Sequence, residues 1–135
     1  LEANRGANLS KRNCHSVVRS VTIETDPDYK AVGQHTLGVG LTNALATSVE
    51  RQSGLCWIVS DHNGESVRAS DFGYAMNRLT ATFGDTFQPQ YDFPATSFGD
   101  TGAATGSLLM CVADSAILRS YAMSDCATIL LSSDG

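Results

Sequence analysis

The sequence predicts an α/β domain, a mixed β-sheet covered by helices on its faces. Three observations lead there. Two short continuous apolar runs, LCWIVS at 55–60 and ATILL at 127–131, have the length of strands buried on both faces. Stretches with apolar residues at helical spacing stand between and before them. The two patterns alternate in the order β-α-β-α-β-α-β, the third strand short, and such alternation builds a mixed or mainly parallel sheet with helices on its faces.

Residues 1–13 have a helix-like composition and no apolar stripe, and the abrupt Leu1-Glu2 start reads as the tail of something longer. Residues 16–25 (SVVRSVTIET) are rich in β-branched side chains and stop at Asp26-Pro27-Asp28, the pattern of a first strand and a turn. Leu37, Leu41, Leu45 and Val49 recur every four residues, which predicts a helix over 34–52, weak at Gly38 and Gly40 and closed by Gly54. After the run at 55–60 comes a polar loop, Asp61-His62-Asn63-Gly64-Glu65. A second helix places Phe72, Ala75, Met76, Leu79 and Phe83 on one face, and Arg68 and Asp71 on it read as a surface pair. Residues 84–93 read as a loop punctuated by prolines. A glycine-rich turn at 97–106 leads into a third helix ending near Tyr121, and the run at 127–131 is the last strand.

At 135 residues the chain fits one domain, with 42% hydrophobic and 17% charged residues. A net charge of −5, and no basic cluster beyond Lys11-Arg12, argue against a nucleic-acid partner. No apolar run approaches the roughly 20 residues that span a bilayer. The four cysteines have no metal-knuckle spacing. Three of them, Cys56, Cys111 and Cys126, sit in apolar runs and read as buried free thiols, with a disulfide left open. Reduced thiols and a start without signal-peptide character place the expectation in the cytoplasm. No cofactor and no metal site is expected.

Two loops carry polar groups that can serve chemistry. In SFGDTGAATG, Thr101 or Asp100 can cap the helix that follows, and its small residues permit a close approach. The free N–H groups of a helix start can hold a carboxylate, a phosphate or a thioester oxygen. The segment is neither a Walker A loop nor GxGxxG. Asp61 and Glu65 flank His62 and Asn63, which reads either as a solvated turn or as an acid–base cluster. Both loops fall near strand ends or helix starts, where open sheets bind ligands.

The chain resembles the C-terminal half of the β-ketoacyl synthases, of the thiolase-like superfamily. Leu1-Glu2 with Arg5-Gly6-Ala7 is similar to "VLE…A…RGA", and CWIVSDHNGE to the strand and loop carrying "VNAHGTGT". Residues 93–106 resemble "StKs…GHxxGAAG", and ATILLSSDG the strand entering "NSFGFGG". The resemblance implies a half-domain over 1–135, with the family's N-terminal half and its nucleophilic cysteine absent from this chain. It also implies Claisen condensation of acyl thioesters as the family's chemistry. Where the family has two histidines and a lysine, this sequence has Asp61 (or, one residue on, His62), Asp100 and Ala95.

Asp61, His62 and Asp100 are therefore the candidate catalytic residues. Asn63, Thr101, Gly102, Ser132 and Ser133 are the candidate substrate contacts. The expected function is a β-ketoacyl-synthase-like component of acyl metabolism, diverged or inactive by itself. The alternatives are a non-catalytic scaffold subunit and a small hydrolase using Asp61, His62 and Asp100. Expected partners are an N-terminal half, a second copy or a heteromeric subunit against an exposed apolar face, together with an acyl carrier protein or acyl thioester.

Overall fold

A computed structural model describes residues 16–26, 37–51, 56–99, 101–122 and 124–133. The elements are α1 (Val39–Arg51), β1 (Cys56–Ser60), α2 (Ser66–Phe83), β2 (Pro89–Asp92), the single turn α3 (Ala95–Phe98), α4 (Thr105–Leu118) and β3 (Ala127–Leu130). Short 3-10 turns at Gly84–Thr86 and Gly102–Ala104 precede β2 and α4.

The three strands form one sheet in the order β2-β1-β3, and both pairings are parallel. The expectation of a mixed sheet is thus corrected to a parallel one over the described strands. Trp57 stands opposite Gln90 and Ala127, and Val59 opposite Asp92 and Ile129. The chain leaves β1 for β2 on one side, then passes back over β1 to β3 on the other. Crossovers of like hand running in opposite directions place their helices on opposite faces.

The two cores show that division. On one face Ile58 packs with Leu45 and Val49 of α1, Leu79 of α2 and Phe87. On the other, Trp57 and Val59 pack with Leu109 and Ala113 of α4. Period-two alternation in CWIVS thus sends successive side chains into different cores, which is why β1 is apolar without interruption. Trp57 also ties β1 to β2, its Nε1–H donating to the Asp92 carboxylate at 2.6 Å.

Three expectations are corrected. Residues 16–25 are not a strand: they are extended, without a strand partner among the described residues, and Val17, Val18, Val21 and Ile23 are 64–87% exposed. β-branched composition suits a pleated surface only where a neighbouring strand supplies one. The order over the described residues therefore begins with a helix. Residues 84–93, read as loop, hold at Pro89–Asp92 the short third strand of the expected order, paired with β1. Proline is tolerated there as the first residue of an edge strand, where no N–H is required of it. Helix α1 begins at Val39 because Leu37 and Gly38 take φ of 60° and 59°, outside helical space. The Gly54 cap and residues 34–36 and 52 lie outside the described residues.

Candidate functional site

The strand order reverses direction between β1 and β3. In an open parallel sheet, the crevice beyond the carboxyl ends of strands at such a switch point is where ligands bind. Here β1 ends at Ser60 and β3 at Leu130, and the ladder runs one step further as Asp61 N–H donates to the Leu130 carbonyl at 3.1 Å. Asp61 and Ser132 therefore meet at the mouth of the crevice.

Their contact is dense. The Asp61 carboxylate accepts from the Ser132 backbone N–H at 2.7 Å and from the Ser132 hydroxyl at 3.1 and 3.3 Å. Arg68, from the first turn of α2, approaches the same carboxylate at 3.9 Å and reaches Glu65 at 3.3 Å. The Asp61 side chain is only 10% exposed. Both of its oxygens are engaged, so the group acts as an anionic clamp holding the end of β3 against the end of β1.

The rest of the 61–65 loop is a turn made by its own side chains. Glu65 N–H donates to Asn63 Oδ1 at 3.2 Å, and Asn63 Nδ2 donates to Glu65 at 3.1 Å. This is the local bonding by which Asn initiates turns. His62 N–H donates to the hydroxyl of Ser60 at 3.2 Å, and Ser60 is buried. The imidazole stands edge-on to Phe93, 5.4 Å between centroids, in an aromatic group with Phe72 and Tyr91. His62 Nδ1 is buried without a hydrogen-bond partner among the described residues.

A cavity of about 1690 Å³ opens beside this cluster and includes Asp61, His62, Ser132 and Ser133 in its wall. Asn63, Thr101 and Gly102 lie outside that wall. Thr101 does not cap a helix through its side chain; its hydroxyl pairs with that of Thr105 at 3.0 Å. Gly102 is needed for its φ of 59°. Gly106 fulfils the expected close approach, since a Cβ there would lie 2.9 Å from a methyl of Leu131. Asp100 lies outside the described residues. Cys111 is an exposed free thiol and Cys126 a half-buried one, which corrects the expectation that both are buried. The side chains of Cys14 and Cys56 lie outside the described set.

Sequence reasoning missed Arg68 as a site residue, reading it only toward Asp71, and missed Ser60 and Phe93. Arg68 carried a signal: it stands three residues after Glu65, a helical ion-pair spacing. Among the described residues no group of three or more His, Cys, Asp or Glu is placed to hold a metal ion, and no helix is long and apolar enough to cross a membrane. Compared with protein-family models, curated proteins and solved structures, the chain matches none.

Proposed function

We propose that this chain is a β-ketoacyl-synthase-like component that engages an acyl thioester at the β1/β3 crevice and does not turn it over by itself. One observation carries the second half of that reading: Asp61 is consumed by the clamp. Condensation of acyl thioesters needs a donor aimed at the oxygen where negative charge develops. A carboxylate whose two oxygens already accept from Ser132 offers no donor, and its acceptor oxygens are held to the end of β3. His62 is not oriented as a general base either, because no described residue bonds its Nδ1 and its ring is packed on Phe93. The substrate class rests on the resemblance of CWIVSDHNGE and of residues 93–106 to the synthase loops.

The test is incubation with a malonyl group carried as a thioester on an acyl carrier protein. Carrier binding without release of carbon dioxide is the expected result. Turnover that collapses in Asp61→Asn would restore an enzymatic role for the clamp. Absence of any binding to carrier or to acyl pantetheine would remove the thioester reading altogether.

A second reading, a scaffold subunit paired with an active ketosynthase-like partner, is favoured by the outer side of α4. Met110 and Leu118 of α4 and the following Tyr121 are exposed, on a helix that also carries Ser107, Asp114 and Ser115. Measurement of molar mass in the native preparation, with identification of any second polypeptide, decides whether that face is occupied.

A further inference from the structure

We propose that Asn63 is a site of self-modification, in which the Gly64 backbone nitrogen displaces ammonia from the Asn63 side-chain amide with the Glu65 N–H as donor to the developing oxyanion. Water then opens the ring to aspartate or isoaspartate. The proposal does not rest on the acyl-thioester reading.

The position is singled out by sequence and by backbone. Of the six asparagines, only Asn63 precedes a glycine. Gly64 has no side chain to shield its own nitrogen, and a Cβ there would meet nothing within 4 Å. Its φ of 94° is open to glycine and to few other residues. Residues 61–65 belong to no helix or strand, and Gly64 and Glu65 are exposed, so hydroxide and water reach the loop. Asn43 and Asn77 instead lie inside α1 and α2, where helical geometry fixes the amide that follows each.

Two hydrogen bonds then arrange the reacting groups. Asn63 Oδ1 accepts from the Glu65 N–H at 3.2 Å, and Nδ2 donates to the Glu65 carboxylate at 3.1 Å. Oδ1 is the oxygen that gains negative charge when the Gly64 nitrogen adds to Cγ, so the Glu65 N–H stands where a donor is needed. That bond also closes a ring through Gly64, which restricts Cγ to the neighbourhood of the Gly64 nitrogen. The leaving nitrogen, Nδ2, is the one the Glu65 carboxylate holds.

The step balances with water alone. Hydroxide takes the Gly64 amide proton as the N–Cγ bond forms. The Cγ–Nδ2 bond breaks, and Nδ2 takes a proton from water and leaves as ammonia. Water adds to one of the two imide carbonyls. Opening at one gives aspartate; opening at the other routes the main chain through the side chain, as isoaspartate. Either product replaces the Nδ2 donor by a carboxylate facing Glu65. Isoaspartate also lengthens the joint between β1 and α2 by one methylene. Arg68 reaches both Asp61 and Glu65 across that joint, so the change bears on the clamp at the crevice mouth.

The test incubates the full chain in neutral and in mildly alkaline buffer and maps tryptic peptide 52–68 by mass, with isoaspartate resolved by chromatography. Asn63 is expected to convert at a rate proportional to hydroxide while Asn43 and Asn77 remain amides. Glu65→Pro removes the donor and keeps the backbone, because Glu65 already has the φ of −62° that a proline ring imposes. It should slow conversion about tenfold, less than the roughly hundredfold of an enclosed oxyanion site because water reaches this one. Glu65→Gln keeps both bonds and should convert near the parental rate. The parent chain in urea, where both bonds are lost, should slow as Glu65→Pro does, which serves if that variant does not fold. An Asn63 that stays an amide, or converts no faster than Asn43 and Asn77, would overturn the proposal. So would a rate unchanged in urea or in a folded Glu65→Pro chain.

Discussion

If Asp61 is a clamp, Asp61→Ala should cost stability before it costs anything else. The substitution removes a largely buried carboxylate that accepts from the Ser132 N–H at 2.7 Å and from its hydroxyl at 3.1 and 3.3 Å. Hydrogen bonds to a charged group contribute about 1.5–3 kcal/mol net. Ser132 is exposed, so water can reach its donors once the carboxylate is gone, which holds the cost toward the low end of that range. The Arg68 contact, at 3.9 Å and partly solvated, adds at most about 1 kcal/mol. A loss of about 2 kcal/mol follows. With unfolding entropy near 2.1 cal/mol/K per residue, that is a drop in Tm of roughly 7 °C for a chain of this length. Asp61→Asn, which keeps one acceptor and loses the charge, should fall about halfway. Urea unfolding followed through the single Trp57, which sits in β1 itself, measures the global effect. Amide exchange at Ser132 measures the local one and should quicken in both variants. An alanine variant within about 0.5 kcal/mol of the parent, with Ser132 exchange unchanged, would refute the clamp and free Asp61 for chemistry.

Three further outcomes follow from the packing. Leu79→Ala and Leu109→Ala empty the two cores separately, Leu79 being 1% and Leu109 0% exposed; each should cost about 2–5 kcal/mol by denaturant unfolding. Trp57→Phe keeps most of the apolar volume and loses the bond to Asp92, so about 1–2 kcal/mol should go, read by circular dichroism because the fluorophore is lost. Gly40→Ala should favour α1 by up to about 1 kcal/mol while its Cβ pushes residues 25 and 26 away, so tryptic cleavage after Arg19 should speed up; an unchanged rate would show that Gly40 does not seat residues 25 and 26.

The legible part of the fold was whatever buries a complete pattern locally. CWIVS and ATIL are apolar on both sides because both faces of β1 and β3 are covered, and the Leu45/Val49 and Leu109/Ala113 repeats each supply a helix stripe to one core. Where a pattern depends on a neighbour, the sequence misled. SVVRSVTIET has strand composition and no strand to lie against among the described residues, while Pro89–Asp92 has a loop-like composition and pairs with β1. Strand formation is a property of pairs, so composition reports only willingness. The site divides in the same way. Asp61, His62 and Asn63 were visible as a polar turn after a buried strand. That Asp61 would spend itself on Ser132, 71 residues away, follows only from the β1/β3 register.

That register bears on the chemistry of the crevice. A switch-point crevice is open because the strands beside it send their connections in opposite directions, and the last backbone bond between the two carboxyl ends is Asp61 N–H to the Leu130 carbonyl, so restraint beyond it falls to side chains. Here the side chain immediately after β1 supplies that restraint, accepting from the backbone just past β3. A neutral imidazole at this position could not bind the Ser132 N–H and hydroxyl as an anionic acceptor does, and would be left with a donor to aim into the crevice. A carboxylate at the same place gains the strand ends and gives up that donor. On the acyl-thioester reading proposed above, an aspartate at position 61 thus has two consequences, a firmer sheet terminus and no donor from this side chain to the crevice. The wild-type chain and Asp61→His separate them: the histidine variant should lose stability on the scale of Asp61→Ala, whether or not it gains any turnover of malonyl thioester.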